Sequence, residues 1–230
     1  MTVLAIVTST SQVGVALHGP AGPVAAMYLR QGRRHGETVA PAIESLLRLS
    51  QVSVSELSLL AVDAGPGLFT GLRVGVATAK ALASALRIPL AAGSSLDLLA
   101  HPHRHGGRAV LSAVDARRGE VFWALYRPVA AAMARIGEPS VSPPAELAAL
   151  LEAMVAEHGP VLLTGDGARR YEALLGRFTG VELAPPDCDH PSAEVLAAVA
   201  GTLRAGEAAA VTPLYLRGAD VRIGWEQRGA

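Results

Sequence analysis

The 230-residue sequence has one cysteine, one lysine and no net charge, and each shortage limits what the chain can do. A single cysteine, Cys188, cannot form an internal disulfide, so nothing indicates an oxidising compartment. Basic and acidic residues number 20 each. The chain as a whole therefore has no electrostatic attraction for nucleic acid or anionic membranes, which leaves only local patches for such contacts.

Long uninterrupted apolar runs are also absent. The most apolar region, 74–100, is interrupted by Lys80, Arg87, Pro89 and Asp97. No uninterrupted apolar run within it reaches the roughly 20 residues of a membrane helix. The N-terminus has no basic segment followed by a cleavable apolar stretch. We therefore expect a cytoplasmic protein without membrane contact.

What the chain does have is 50% hydrophobic residues, enough for a sizeable core. Their periodicity predicts two successive series of the same elements, each with two hairpinned strands, a third strand, a helix and then strand–helix alternation. The first series is strands 3–7, 13–17 and 24–28, helix 37–49, strand 57–62, helix 72–86, strand 89–92 and helix 95–100. The second is strands 109–114, 121–126 and 132–136, helix 145–157, strand 161–164, helix 168–175, strand 181–183 and helix 192–204.

Two copies of one α/β topology in tandem predict two ribonuclease-H-like lobes, the actin-like ATPase (ASKHA) architecture. The polar, turn-rich stretch 101–108 predicts a connector. We therefore assign residues 1–100 to an N-terminal lobe and residues 109–230 to a C-terminal lobe with a C-terminal tail.

The polar turn at 8–12 lies where an actin-like ATPase grips phosphate. Such a grip needs an acidic residue at the end of the first strand to hold a metal ion, and this chain has Val7 there. In the second lobe Asp115 is of the right type, but Arg117 follows it in the turn. Asp63 either supplies a carboxylate near the cleft or caps its strand. A self-sufficient actin-like phosphotransferase or ATPase using Asp63 and Asp115 is thus one hypothesis.

Two glycine-rich stretches resemble nucleotide loops without meeting their requirements. In GPGLFTGLRVG (65–75) three residues separate Gly67 from Gly71, where a P-loop needs four, and the Lys–Ser/Thr pair is missing. We interpret this stretch as a tight strand-to-helix turn. TGDGARRY (164–171) is interpreted as a strand–helix connection rather than an adenosine-binding loop.

Helix 72–86 has a stripe with almost no side chain, because small residues recur at every fourth position: Gly71, Gly75, Ala79 and Ala83. Few positions of this helix are polar, whereas a surface helix should have a polar face. The stripe predicts either a buried core helix or a face that docks on a partner chain.

The remaining candidate groups predict no cofactor and no metal. His101, His103 and His105 could bind zinc, but without a nearby carboxylate or cysteine we expect them in solvent, and their role stays open. Cys188 lies between Asp187 and Asp189, whose charges would raise the thiol pKa and disfavour a nucleophile.

Six stretches in order resemble the TsaB family, also called YeaZ: LAIVTSTSQVGVAL, RRHGETVAPAIESLL, LAVDAGPGLFTGLRVGVATAKALASALRIPLAAGSSLDLLA, SAVDARRGEVFWALY, LTGDGARRY and VTPLYLRG. The resemblance implies a non-catalytic accessory subunit for threonylcarbamoyladenosine synthesis on tRNA, with no catalytic residue and no cofactor of its own. It implies a homodimer alone, a heterodimer with the catalytic paralogue TsaD, and TsaE in the full complex. Transfer from threonylcarbamoyl-AMP would then reach the adenosine next to the anticodon of ANN-decoding tRNAs, and tRNA would be contacted only through the complex.

The resemblance also implies where partners dock, on helices 37–49 and 72–86. The candidate interface residues are Glu37, Pro41, Glu44, Phe69, Thr70, Gly71, Arg73, Val74, Gly75, Ala77, Thr78, Ala79 and Ala81. Two departures from the family stand out. Val7 replaces the usual Asp, which removes the last obvious metal ligand of the first hairpin. Asp63 stands where a small residue is more frequent.

Overall fold

The computed structural model describes residues 1–30, 34–130 and 132–216, in which the chain forms eleven strands and seven α-helices. The strands are β1 (Val3–Val7), β2 (Gln12–Gly19), β3 (Gly22–Arg30), β4 (Leu59–Asp63), β5 (Leu90–Gly93), β6 (Ala109–Arg117), β7 (Glu120–Val129), β8 (Ala132–Ser142), β9 (Val161–Thr164), β10 (Val181–Leu183) and β11 (Ala205–Gly206). The helices are α1 (His35–Leu49), α2 (Phe69–Leu86), α3 (Ser95–Ala100), α4 (Pro144–His158), α5 (Asp166–Arg170), α6 (Glu172–Leu175) and α7 (Ala193–Val199). Among these helices, none combines the length and apolar character needed to cross a membrane.

The strands form two mixed sheets with one shared topology. The first has the order β11-β5-β4-β1-β2-β3 and the second β10-β9-β6-β7-β8. In the first sheet β1 pairs antiparallel with β2 and parallel with β4; β6 pairs in the same way with β7 and β9 in the second. The predicted pair of tandem α/β lobes is confirmed.

The outer face of each sheet is covered by helices of its own series. Alternate residues of β1, Leu4 and Ile6, point to one core with Val39 and Ile43 of α1 and Val76 of α2, because side chains along a strand alternate between faces. The apolar residues of α1 recur at helical spacing, so one stripe of the helix is buried and the opposite side stays exposed. Helix α4 covers the second sheet in the same way.

The inner faces are covered by helices exchanged between the two lobes. Leu96 and Leu99 of α3 contact Val110 of the second sheet. Leu196 of α7 contacts Val3 and Val7 of the first sheet, and β11 pairs with β5 at its edge. The sequence-based division placed 95–100 in the N-terminal lobe and 192–206 in the C-terminal lobe. The structure corrects these assignments, because each inner face needs an apolar cover that its own helices, lying on the opposite face, do not supply.

Several predicted boundaries also shift. Helix 72–86 begins earlier, at Phe69, and strand 132–136 extends to Ser142. The predicted helix 168–175 is two short helices, α5 and α6, divided at Tyr171, whose φ of −111° is not helical. The predicted helix 192–204 ends at Val199 and continues as a 3₁₀ turn over Ala200–Thr202. Its predicted cap is present, since the Ser192 side chain accepts a hydrogen bond from the Val195 amide.

Candidate docking surface and the two hairpin turns

The turn between β1 and β2 lies beneath the start of α2. Thr8, Ser9 and Thr10 are each 0% exposed. A Cβ added to Gly71 would lie 2.1 Å from the Thr8 carbonyl oxygen, and one on Gly75 would lie 2.2 Å from Thr8 Oγ1. The small stripe of α2 therefore allows the helix to approach this turn at backbone distance.

Several polar groups of the turn are bonded within the protein. Thr8 Oγ1 donates to the Gly71 carbonyl (2.8 Å), and the Thr10 carbonyl accepts from His35 Nε2 (2.8 Å). The Ser9 carbonyl accepts from the Leu68 amide (2.6 Å). The Thr8 hydroxyl and the Ser9 and Thr10 carbonyls are therefore engaged within the chain. This arrangement agrees with the interpretation of 65–75 as a strand-to-helix turn.

Asp63, one of the two candidate carboxylates, is enclosed at the end of β4. It is 0% exposed and accepts hydrogen bonds from Ser9 Oγ, from Ser95 Oγ (2.7 Å) and from the Gly65 amide (2.9 Å). Burial raises the pKa of this carboxyl, and the hydrogen bonds from Ser9 and Ser95 oppose the rise. Asp63 thus joins the hairpin, β4 and the start of α3, which is the strand-end cap considered above.

Asp115, the other candidate, is 3% exposed at the second hairpin. Its Oδ2 pairs with Arg117 Nη1 (3.0 Å) and Arg170 Nη1 (3.3 Å). Its backbone amide donates to Oδ1 of Asp166 (3.0 Å). Burial, followed by the charge of Asp115, raises the pKa of Asp166 to about 6, against the favourable effect of that amide and of Arg117.

The glycines of TGDGARRY serve close contact between α5 and β6. A Cβ on Gly165 would lie 2.2 Å from the Ala113 carbonyl oxygen, and one on Gly167 would lie 2.8 Å from the Val114 carbonyl carbon. This geometry agrees with a strand–helix connection. Neither lobe therefore offers an open carboxylate at its hairpin through Asp63 or Asp115.

The three histidines of the connector do not gather into a ligand set. Among the described residues, no cluster of three or more histidine, cysteine or acidic side chains could hold a metal ion. Burial lowers the pKa of His101 and of His103, so both imidazoles favour the neutral form.

The candidate docking surface is the side of α1 and α2 that faces away from the first sheet. Its exposed members are Glu37, Pro41 and Glu44 on α1 and Phe69, Thr70, Arg73, Ala77 and Ala81 on α2; Val74 and Thr78 are half-buried. The expectation that Gly71, Gly75 and Ala79 would also face a partner is wrong. All three are buried, because the small stripe faces the chain's own turn and core.

The candidate docking surface combines the small apolar side chains of Ala77 and Ala81 with the charged side chains of Glu37, Glu44 and Arg73. The two helices approach each other where Gly36 of α1 lies near Val74 of α2. Further along α2, Ala77 and Ala81 are exposed. At the start of α2 the Arg73 guanidinium lies over the Phe69 ring, 3.9 Å from its centroid. An apolar centre with aromatic and arginine residues is typical of protein–protein interfaces.

Two residues next to the start of α2, Leu214 and Tyr215, were not predicted from the sequence. Tyr215 stacks on Phe69 at a centroid separation of 5.4 Å, and Leu214 precedes it with 40% exposure. The only available signal was the stretch VTPLYLRG, which contributed to the resemblance but had no assigned place in the fold.

Sequence comparisons relate the chain to tRNA-modification proteins. Residues 29–173 match the model of a family described as TsaD: tRNA N6-adenosine threonylcarbamoyltransferase. A protein of Bacillus subtilis named tRNA threonylcarbamoyladenosine biosynthesis protein TsaB is 31% identical over 228 residues, which cover 98% of each chain. The Escherichia coli protein of the same name is 31% identical over 239 residues, 99% of this chain and 98% of the relative.

Solved structures agree with these matches. YeaZ from Pseudomonas aeruginosa has a TM-score of 0.79 and 31% identity over 94% of this chain and 99% of that one. The activator of 2-hydroxyisocaproyl-CoA dehydratase from Clostridium difficile, solved with bound ADPNP, has a TM-score of 0.51 over 87% of this chain and 94% of that one. Its 10% identity shows a shared fold alone.

Proposed function

Because the chain belongs to the TsaB (YeaZ) family, we propose that it is a non-catalytic scaffold subunit in the synthesis of threonylcarbamoyladenosine on tRNA. It dimerises with TsaD and, together with TsaE, supports transfer of threonylcarbamoyl from threonylcarbamoyl-AMP to N6 of the adenosine next to the anticodon of ANN-decoding tRNAs. The reaction takes place in the cytoplasm, and the chain contacts tRNA only through the complex. Its zero net charge is consistent with that indirect contact.

The observation that carries this proposal is the apolar docking surface on α1 and α2. Exposed alanines between charged rim residues are suited to close helix–helix contact, in which little side-chain entropy is lost. The hairpin turns support a role exerted through contact, because Asp63 and Asp115 are enclosed or ion-paired. The same features leave the phosphotransferase hypothesis without an open carboxylate on either of these residues.

The identity of the partner is supported by the shared domain. Residues 29–173, which include α1 and α2, match the TsaD family model, so chain and partner have related faces. Related chains commonly associate through equivalent surfaces, which gives closed pairs. A homodimer of the chain alone and a heterodimer with TsaD would then use the same docking surface and exclude one another.

The test compares two identical substitutions on exposed helical alanines. Ala77→Arg places a charge at the centre of the docking surface, and Ala149→Arg places the same charge on α4 of the second lobe. We expect the wild-type chain and Ala149→Arg to form a mixed complex with TsaD of the same organism in sedimentation velocity. Ala77→Arg should weaken that complex by roughly 30-fold or more, since an unpaired charge would be buried there.

The functional readout is tRNA modification when the wild-type chain, Ala77→Arg or Ala149→Arg is added to TsaD and TsaE. The extent of modification should follow the ability of each of these three chains to form the complex. A wild-type chain that ignores TsaD would contradict the proposal. Equal binding by Ala77→Arg and Ala149→Arg would leave the partnership intact but contradict the location of the docking surface.

A further inference from the structure

The last described segment, residues 205–216, forms a strap along α2. It starts as β11 on the edge of β5, where Ala205 is the partner of Ala91. Ala208 and Val211 then contact the core beneath α2. Finally the Leu214 amide donates to the Ala64 carbonyl (2.7 Å), which places the strap's end at the loop that precedes α2.

Lys80 holds the middle of the strap. Its ammonium donates to the Ala209 carbonyl (3.1 Å) and to the Val211 carbonyl (2.9 Å). It is the only lysine of the sequence. A charged donor on two main-chain carbonyls fixes the path of the strap with stronger hydrogen bonds than neutral groups would make.

The strap ends in an aromatic corner next to the docking surface. Tyr215 packs on Phe69 with the ring planes tilted by 40°, and Arg73 lies over the Phe69 ring. Phe69 is 49% and Tyr215 is 47% exposed. Two half-exposed aromatic rings beside a guanidinium retain apolar area that a second protein can cover.

We propose that the strap is part of the docking surface and that Tyr215 is an anchor for the partner, an inference that rests on the proposed function. Aromatic and arginine side chains dominate interface energies, especially where their positions are fixed before binding. Lys80 and the Leu214 amide fix the strap in the free chain. Arg73 has a positive charge and the first turn of α2 contains no acidic residue, so the complementary site on the partner is an apolar surface that bears a carboxylate.

The test measures affinity for the same TsaD partner by isothermal titration calorimetry. Tyr215→Ala should weaken binding by about 10- to 100-fold, the range of an interface anchor. Tyr215→Phe retains the ring and should bind like the wild type. Lys80→Met, which releases the strap without touching Tyr215, should weaken binding by a smaller factor. Leu150→Ala is the control, since Leu150 is 45% exposed on α4, which covers the second sheet rather than the first.

Hydrogen exchange provides a second measurement that does not depend on variants. Amides of 211–216 in the wild-type chain should exchange more slowly in the complex than in the free protein. Unchanged exchange there, or Tyr215→Ala affinity within twofold of wild type, would overturn the inference while the proposed function stands. If the wild-type chain fails to bind at all, the proposed function falls and this inference falls with it.

Discussion

At the scale of single residues, the buried carboxylates act as structural ties. Asp63 is satisfied by two serine hydroxyls and an amide, and Asp115 by two arginines and its own turn. Asp166 accepts the Asp115 amide and is raised in pKa by burial. Because burial disfavours its charged form, Asp166 fixes geometry but lowers stability once it ionises.

Replacement of Asp166 by Asn tests that cost. The folded pKa of about 6 exceeds the ordinary 3.8, so the folded state holds the proton more tightly than the unfolded chain does. Stability therefore falls as pH rises from about 4 to about 6 and stays reduced above that window. Asn keeps an oxygen for the Asp115 amide without ionising. We expect Asp166→Asn to be more stable at pH 7 by on the order of 1–3 kcal/mol.

Urea denaturation at pH 4 and pH 7 checks this prediction, and the gain of the variant should shrink toward pH 4. Asp187→Asn is the control, because Asp187 is exposed. This substitution should change the free energy of unfolding little at either pH. A gain that is equal at both pH values would show that ionisation of Asp166 is not its source.

At the scale of elements, α2 explains why the small-residue stripe could be interpreted in two ways. Small residues at every fourth position indicate a close approach by some backbone, but the pattern is identical whether that backbone belongs to the chain or to a partner. The structure places Gly71 and Gly75 against the β1–β2 turn. The side proposed to dock a partner is the opposite side of the helix, where Ala77 and Ala81 are exposed.

Substitution of glycine by alanine should have opposite effects on stability in the buried stripe of α2 and at the exposed start of α1. Gly75→Ala should destabilise the protein by about 1–3 kcal/mol, because the new Cβ would lie 2.2 Å from Thr8 Oγ1. This cost outweighs the gain in helix propensity of at most about 1 kcal/mol. Gly36→Ala in α1 should be neutral or stabilising, since the new Cβ would lie 4.0 Å from Val74 Cγ2, an ordinary van der Waals distance. Chemical denaturation measures both, and a Gly75→Ala variant as stable as Gly36→Ala would contradict the assignment of the stripe.

At the scale of the whole molecule, the sequence predicted what is local and missed what depends on distant partners. The sequence predicts hairpins and helices because turn residues and apolar periodicity can be recognised within short segments of the chain. The order of elements then indicated two lobes. An amphipathic helix such as α3 or α7 shows that it covers an apolar sheet, but it does not show which sheet, so their exchange was missed. The strap was missed for the same reason, since the contact of Tyr215 with Phe69 joins residues far apart in the chain.

The exchange makes the two lobes dependent on each other. Without α7 and β11, the inner face of the first sheet would expose Val3, Ala5 and Val7, which are now at most 1% accessible. Without α3, the second sheet would lose Leu96 and Leu99 from its inner core. Exposed apolar area costs about 25 cal/mol per Å², and a single domain has only about 5–15 kcal/mol of stability to lose.

We therefore expect that fragments 1–100 and 109–230 do not fold when they are expressed separately. Each should lack a cooperative thermal transition by circular dichroism, whereas the intact chain should unfold in one transition. A full-length chain with a protease site inserted at 104–107 is the control. After cleavage its two parts should stay together in gel filtration, because α3 and α7 already lie on the opposite sheets. Cooperative unfolding of fragment 1–100 alone would show that the first sheet is stable without α7 and would limit the exchange to an accessory contact between independent lobes.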